Sequence, residues 1–176
     1  HASLVQHLTQ LFNMILKHGY VPKSFGVGII IPILKDRRGD ASDLDNYRGI
    51  TLSNILSKIF ESCIKEKLQS FLTSSDLQFG FKKGHGCHHA IYVVQNVVEY
   101  FRTRGSNVYI TTLDVSKAFD KVRHSCLFDK LRLRGIPECF VDVLSNWYSK
   151  LSSVVRWQNY LSSSFAVKSG LTQGGI

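Results

Sequence analysis

The chain has 176 residues, 44% of them hydrophobic and 20% charged, which fits one folded unit with a substantial core and is too short for two comfortable domains. Lys and Arg number 22 against 13 acidic residues, and the formal net charge of +9 indicates an anionic partner, with nucleic acid as the leading candidate, while a solvated basic surface without a partner stays equally open on charge alone. The four cysteines form no CxxC and no apolar run is long enough to span a membrane, so neither a disulfide framework, a paired-cysteine zinc site nor a transmembrane helix is indicated.

Three helices are predicted in the first part of the chain. Apolar residues from Leu4 to Leu16 fall on one helical face, and Gly19 ends that helix. The apolar run GVGIIIPILK follows, and its Pro32 argues against a central strand position. From Asn54 onward, apolar residues recur every three to four positions and predict an amphipathic helix. The segment HHAIYVVQNVVEYFRTRG predicts another helix, which ends at Gly105.

The second part of the chain alternates strand and helix signals. The β-branched segment NVYITTLDV predicts a strand that ends near Asp114. A short helix around Leu131 is stopped by Gly135, and Pro137 begins another. The segments SSVVRWQN and SSSFAVKS predict a hairpin.

Asp114 stands at the exit of the predicted strand. Alternation along a strand would place it on one face with Val108, Ile110 and Thr112. Strand ends commonly supply the hard oxygen ligands that Mg²⁺ requires. A single aspartate in this position is more often a turn-former or a helix cap, so a metal role and a structural role both stay open.

Five blocks of the sequence occur in the order and with the spacing of one protein family. The chain resembles the N-terminal part of a reverse transcriptase domain of the non-LTR (LINE-type) retrotransposon class. Gly49 departs from a frequent proline of that family, and HGCHH replaces a stretch usually built from small hydroxylated residues. The blocks are GIIIPILK, NYRGITLSNILSKIFE, LQFGFKKGHG, LDVSKAFDKVRH and GLTQGG.

The resemblance implies a fold and a division of the chain. The expected fold is an α+β right-hand polymerase, truncated before the rest of the palm and the thumb. The fingers would comprise residues 1–85 and 124–170, and the palm would comprise residues 86–123 and 171–176. The expected activity is extension of a DNA primer with dNTPs on an RNA template, in the nucleus if the chain derives from a retrotransposon.

The resemblance also implies site residues. Asp114 matches the first catalytic aspartate, a ligand of two Mg²⁺ (or Mn²⁺) ions, to which Val115 would add its backbone carbonyl. Phe119 matches the aromatic gate that leaves no room for a 2′-hydroxyl. The implied nucleotide-binding set is Lys35, Arg48, Phe119, Gln173 and Gly174, and the implied nucleic-acid-binding residues are Lys82 and Lys83.

Structural alternatives remain for these residues. Phe119 is also compatible with an ordinary core aromatic, and Lys35 and Arg48 with solvated loop charges. One histidine-rich stretch could be interpreted as a zinc site. The preferred interpretation is packing at a helix entry, because the sequence has no second cluster of ligands that would complete a tetrahedral zinc site. That stretch contains His85, Cys87, His88 and His89.

The family completes its metal site with an adjacent aspartate pair that follows the QG motif. No two aspartates are adjacent in this sequence, so residues 1–176 are expected to be catalytically incomplete by themselves. A non-catalytic nucleic-acid-binding remnant, a group II intron maturase-type reverse transcriptase and a telomerase remain alternative interpretations.

Overall fold

The computed structural model describes residues 1–172 and combines helices with a five-stranded sheet, in agreement with the mixed α+β prediction. Two compact units are present: His1–Phe71 with Lys117–Ile176 forms the first unit, and Leu72–Ser116 forms the second. The assignment of residues 1–85 and 124–170 to the fingers, and of residues 86–123 and 171–176 to the palm, stays a prediction. The helices are α1 (Ala2–His18), α2 (Ile55–Lys67), α3 (Cys87–Arg102), α4 (His124–Leu133) and α5 (Glu138–Tyr148).

The sheet belongs to the first unit. Its strand order is β2-β1-β3-β4, and β5 pairs with β3. β1 and β2 form an antiparallel hairpin from Gly28↔Ser53 to Leu34↔Tyr47, and β1 and β3 run parallel. The predicted hairpin near the end of the chain is confirmed by the antiparallel pairing of β3 with β4 and β5. The strands are β1 (Val27–Leu34), β2 (Tyr47–Ser53), β3 (Ser152–Trp157), β4 (Tyr160–Leu161) and β5 (Phe165–Ala166).

Pro32 lies in β1, which is an interior strand of this sheet, so the expectation from proline alone was wrong. The reason is the unequal length of the two pairings. Pro32 lies opposite Gly49 of β2, whereas within the described residues the parallel pairing with β3 ends at Ile30↔Val155. At Pro32, therefore, β1 has a neighbour on one side, and a residue without an N–H is tolerated there as it is on an edge strand.

The helix boundaries follow the predicted signals. The Asn54 side chain accepts a hydrogen bond from the Leu56 backbone N–H (2.8 Å) and caps α2. Gly19 has a φ of +62° just after α1, a left-handed conformation that costs glycine little. Pro137 is the N-cap of α5, as predicted. Among residues 1–172, no helix is both long enough and apolar enough to cross a membrane.

An aromatic cluster centred on Phe60 forms the core of the first unit. The Phe60 side chain is 1% exposed, and its ring centroid lies 5.0 Å from that of Phe12 and 5.8 Å from that of Trp147. Phe25 completes the cluster, and its carbonyl accepts a hydrogen bond from the Trp147 indole (3.1 Å). These contacts join α1, α2 and α5 to the segment that leads into β1.

Phe60→Ala should therefore lower the free energy of unfolding of the chain by about 3–5 kcal/mol, because truncation of a buried ring loses its burial and leaves a cavity. Urea denaturation followed by circular dichroism measures the change. Phe165→Ala is the matched control, since the Phe165 ring is 44% exposed and its loss should cost far less. Equal destabilisation by the two substitutions would contradict this account of the core.

The second unit contains α3 and a segment, residues 106–115, that forms neither helix nor strand. The strand predicted for NVYITTLDV is absent from the structure: residues 106–115 pair with no described strand. Strand-favouring composition needs a neighbouring strand for its backbone hydrogen bonds, and these residues have none within the described part of the chain. Most of the segment is exposed, including Tyr109 (89%) and Leu113 (94%).

Candidate active site

The loop between β1 and β2 is held together by Asn46. The Asn46 carbonyl accepts a hydrogen bond from the Lys35 backbone N–H (2.8 Å), and its side-chain oxygen accepts from the Asp36 N–H (3.2 Å). The Asn46 side-chain amide donates to the carbonyls of Asp36 (3.1 Å) and Asp40 (3.2 Å). These bonds give the polar loop a defined path, so the basic residues at its base have fixed backbone positions.

Asp45 connects two lysines that are far apart in the sequence. The Lys35 ammonium donates to the Asp45 backbone carbonyl (2.7 Å), and the Lys117 ammonium pairs with the Asp45 carboxylate (2.7 Å). The hydrogen bond from Lys117, together with its charge, lowers the pKa of the Asp45 carboxyl, and the same contact raises the pKa of the Lys117 ammonium. Exposed ion pairs stabilise folds little, so this contact matters chiefly for the position of the groups it joins.

Lys117 begins the turn that carries Phe119. Its φ of +54° is left-handed, which is uncommon for a residue with a side chain. The Asp120 N–H donates to the Lys117 carbonyl (3.1 Å) and closes the turn. Phe119 is 39% exposed, far more than the buried aromatics of the core, so part of this residue faces solvent.

The segment around Gly170 packs directly against the Phe119 turn. The Leu171 N–H donates to the Phe119 carbonyl (2.9 Å), and the His124 ring nitrogen lies 2.9 Å from the Gly170 carbonyl oxygen. A Cβ atom at Gly170 would lie 3.0 Å from the Asp120 Cα, and the φ of Gly170 is +86°, so glycine is required for this close approach. The start of the GLTQGG block therefore contacts the turn that carries Phe119.

The structure thus brings Lys35 into the same unit as the Phe119 turn, with Asp45 and Lys117 between them. Arg48 lies in β2 opposite Ile33, exposed near the loop end of the same hairpin. Gln173 and Gly174 lie outside the described residues, and their predicted roles stay predictions.

Asp114 and Val115 belong to the second unit, at the end of the segment 106–115. A carboxylate followed by a backbone carbonyl is a suitable donor type for Mg²⁺. The number of donors is insufficient, because no cluster of three or more His, Cys, Asp or Glu side chains within residues 1–172 could hold a metal ion. The described residues therefore fit part of a metal site and do not complete one.

Lys82 and Lys83 lie in the glycine-rich loop of the second unit. The Lys82 ammonium pairs with the Asp76 carboxylate (3.1 Å), whereas Lys83 is exposed. Their predicted contact with a nucleic-acid backbone stays a prediction.

The neighbouring histidines make contacts typical of a helix entry. The Gly86 N–H donates to His89 Nδ1 (3.1 Å) at the start of α3, and the His88 and His89 ring centroids are 3.9 Å apart. The His85 ring lies beside His89, with 5.8 Å between centroids. These contacts account for three of the histidines as packing and capping groups.

Comparison with known proteins decides the family. The family described as "Reverse transcriptase (RNA-dependent DNA polymerase)" matches residues 33–176. The chain belongs to this reverse transcriptase family. The match includes every predicted site residue and both sides of the Asp45–Lys117 contact.

Several related proteins come from mobile elements. The RNA-directed DNA polymerase from mobile element jockey of Drosophila funebris is 31% identical over 177 residues, which cover 97% of this chain and 19% of the relative. The Pol polyprotein from the type-2 retrotransposable element R2DM of Drosophila melanogaster is 28% identical over 167 residues, which cover 95% of this chain and 16% of the relative. The chain therefore spans less than a fifth of the length of these relatives. The resemblance to non-LTR retrotransposon reverse transcriptases is confirmed.

The sequence interpretation assigned no role to Asp45 or Lys117, which the structure places between Lys35 and the Phe119 turn. Lys117 stands two residues before Phe119 within a matching block, and Asp45 stands in the polar loop. The sequence signal that could have drawn attention to Lys117 and Asp45 was their position in the family block and in the polar loop. What the sequence lacked was evidence that the two segments meet.

Proposed function

We propose that this chain forms part of an RNA-directed DNA polymerase of a non-LTR retrotransposon, which extends a DNA primer with dNTPs on an RNA template. Membership of the reverse transcriptase family supports the reaction class. The observation that carries the proposal is the Asp45 contact, which joins Lys35 at the loop end of the β1–β2 hairpin to Lys117 in the Phe119 turn. A triphosphate and its sugar require cations and an aromatic surface close together, and this contact brings those groups into one region.

The side chains have distinct parts in the proposed nucleotide site. Lys35 offers a movable point charge for the triphosphate, and Arg48 offers a planar guanidinium that can make two parallel hydrogen bonds to a phosphate. The exposed part of the Phe119 ring would lie under the sugar, where it excludes a 2′-hydroxyl. Gln173 and Gly174 would lie beside the nucleotide, and Lys82 and Lys83 would contact the template or primer backbone.

The proposed metal site draws only part of its ligands from the described residues. Asp114 and the Val115 carbonyl would supply oxygen donors, and the aspartate pair of the family would supply the remainder from sequence beyond this chain. When bound, Mg²⁺ supplies activation of the primer 3′-hydroxyl and charge stabilisation of the leaving group. We further propose the truncated right-hand fold given above, nuclear location and catalytic incompleteness of residues 1–176.

Lys35→Ala tests the nucleotide site in a protein that continues through the aspartate-pair motif. The substitution should raise the KM for dNTP about tenfold or more, because a charge-assisted contact to the triphosphate is worth about 1.5–3 kcal/mol. The measurement is steady-state primer extension on an RNA template at varied dNTP concentration.

Lys65→Ala is the matched control for Lys35→Ala. Lys65 is an exposed lysine near the end of α2, so its loss removes an equal charge from elsewhere on the first unit. An equal change in KM for the two variants would mean that general charge, and not a phosphate contact, explains the effect. An unchanged KM in both would contradict the proposed role of Lys35.

A further inference from the structure

A groove of about 490 Å³ lies in the first unit beside the tip of the β1–β2 hairpin and the turn between β3 and β4. Two arginines line it, and no acidic residue does. We call it the Trp157 groove. The lining residues that matter here are Leu34, Arg37, Tyr47, Arg156, Trp157 and Gln158.

Two aromatic rings form one wall of the Trp157 groove. The ring centroids of Tyr47 and Trp157 are 5.2 Å apart with an interplanar angle of 57°, and Trp157 is 44% exposed. The Tyr47 hydroxyl donates to the Ala41 carbonyl (2.8 Å), which fixes that ring. A supported and partly exposed indole is a surface on which a planar base can stack.

The groove is also positively charged. Within residues 1–172, neither the Arg37 nor the Arg156 guanidinium makes an ion pair or a hydrogen bond. Cations that no internal acid neutralises, beside an exposed aromatic ring, match the two features of a single-stranded nucleic acid: an anionic backbone and stackable bases. An apolar peptide would leave both charges unpaired.

This surface differs from the proposed nucleotide site. Tyr47 and Arg48 are consecutive residues of β2, so their side chains point to opposite faces of the sheet. Tyr47 faces the Trp157 groove, whereas Arg48 belongs to the proposed triphosphate-binding set. The groove is therefore available to a ligand other than the incoming nucleotide.

We propose that the Trp157 groove binds single-stranded RNA, with a base stacked on Trp157 and phosphates paired with Arg37 and Arg156. RNA is the chosen ligand because an enzyme that copies RNA must hold the unpaired strand, and in this respect the inference rests on the proposed function. Gln158 supports the hairpin that presents the indole: it has a φ of +53° in the two-residue turn between Trp157 and Tyr160.

Fluorescence anisotropy with the purified chain and a labelled 15-nucleotide oligouridine tests the proposal. Trp157→Ala should weaken RNA binding about tenfold, because loss of a stacking surface costs about that much per base. Arg37→Ala should weaken binding severalfold and reduce the salt dependence by about one phosphate contact. Binding should quench part of the tryptophan fluorescence, and Trp157→Phe should lose that quench while it keeps most of the affinity.

The chain offers matched controls for both substitutions. Tyr160→Ala removes an exposed aromatic ring from the same hairpin outside the groove, and Arg38→Ala removes an equal charge from the same loop outside the groove. Both controls should bind RNA as the parent chain does. Thermal unfolding of each variant distinguishes lost contacts from lost structure, and Trp157→Phe combined with Arg37→Ala tests the groove while an aromatic ring remains at position 157.

Specific outcomes would overturn the proposal. The Trp157 groove is excluded as an RNA site if Trp157→Ala and Tyr160→Ala have equal effects on binding. It is also excluded if Trp157→Ala and Arg37→Ala both bind RNA as tightly as the parent chain, or if the matching single-stranded DNA or duplex binds more tightly than RNA. Failure of the groove is separable from failure of the proposed polymerase, because dNTP incorporation and its dependence on Lys35 are measured independently. If the polymerase is active and its affinity for RNA does not change on substitution of Trp157, only the proposed role of the groove is refuted.

Discussion

Asp114→Ala is expected to abolish RNA-templated dNTP incorporation in a protein that continues through the aspartate-pair motif. The substitution removes a carboxylate shared by both proposed ions, and in-line phosphoryl transfer depends on the geometry that such ligands impose. We expect a loss of about 1,000-fold or more in kcat, which corresponds to about 4 kcal/mol of transition-state stabilisation. Single-turnover primer extension with Mg²⁺ measures it.

The stability of the variant should hardly change. Asp114 is exposed, and surface substitutions of this kind usually alter stability by less than about 0.5 kcal/mol. A loss of activity with an unchanged unfolding transition would therefore report on chemistry and not on folding.

Asp120→Ala serves as the control for Asp114→Ala. Asp120 is an exposed aspartate in the neighbouring turn, and the family resemblance gives it no catalytic role. The variant should retain most of the activity. Residues 1–176 alone should incorporate no dNTP at any Mg²⁺ concentration, since they contain no adjacent aspartate pair. Robust extension by that fragment, or survival of activity in Asp114→Ala, would contradict the proposed metal site.

The parts of the fold that were predicted correctly depend on local signals. The start of α2 after Asn54, the end of α1 at Gly19 and the start of α5 at Pro137 each depend on signals within about one helical turn, so neighbouring residues suffice to predict them. The β3 hairpin is similarly local, because its strands are joined by a two-residue turn.

The errors concern elements whose state depends on distant residues. The segment from Val108 to Asp114 has the composition of a strand, but composition does not supply a neighbouring strand for its backbone groups. Pro32 is the opposite case, in which a residue that argues against an interior strand lies in one. The interior strand tolerates this proline because one of its two pairings has already ended at that position. In both cases the deciding information is the register of another strand, which the local sequence does not contain.

The candidate site likewise contains residues that the sequence predicts and contacts that depend on distant residues. Residue types and the family blocks predict roles for Lys35 and Phe119, but the contact that joins their segments links Asp45 with Lys117 through an ion pair across the fold. The Tyr47–Trp157 ring contact is equally nonlocal. Single-sequence patterns name the groups that chemistry requires, whereas the pairs that position them arise from tertiary structure.

Phe119→Val separates nucleotide selection from simple packing. Replacement of the ring by a smaller side chain opens space under the sugar without removal of a metal ligand, so dNTP incorporation should largely survive while rNTP incorporation rises. Relief of a steric exclusion of about 1.4 kcal/mol changes relative transition-state binding tenfold. The quantity to measure is the ratio of kcat/KM for a dNTP to that for the matching rNTP, in the parent protein and in the variant.

Phe165→Val is the matched control, because the Phe165 ring is exposed to a similar extent, 44% against 39% for Phe119, and belongs to the same unit. It should leave the ratio unchanged. If Phe119→Val lowers both activities together and leaves the ratio intact, the ring supports the turn between Lys117 and Gly170 and does not select the sugar. A ratio that falls about tenfold while dNTP turnover persists requires direct contact between the ring and the nucleotide, since a general loosening of the turn would reduce incorporation of both substrates.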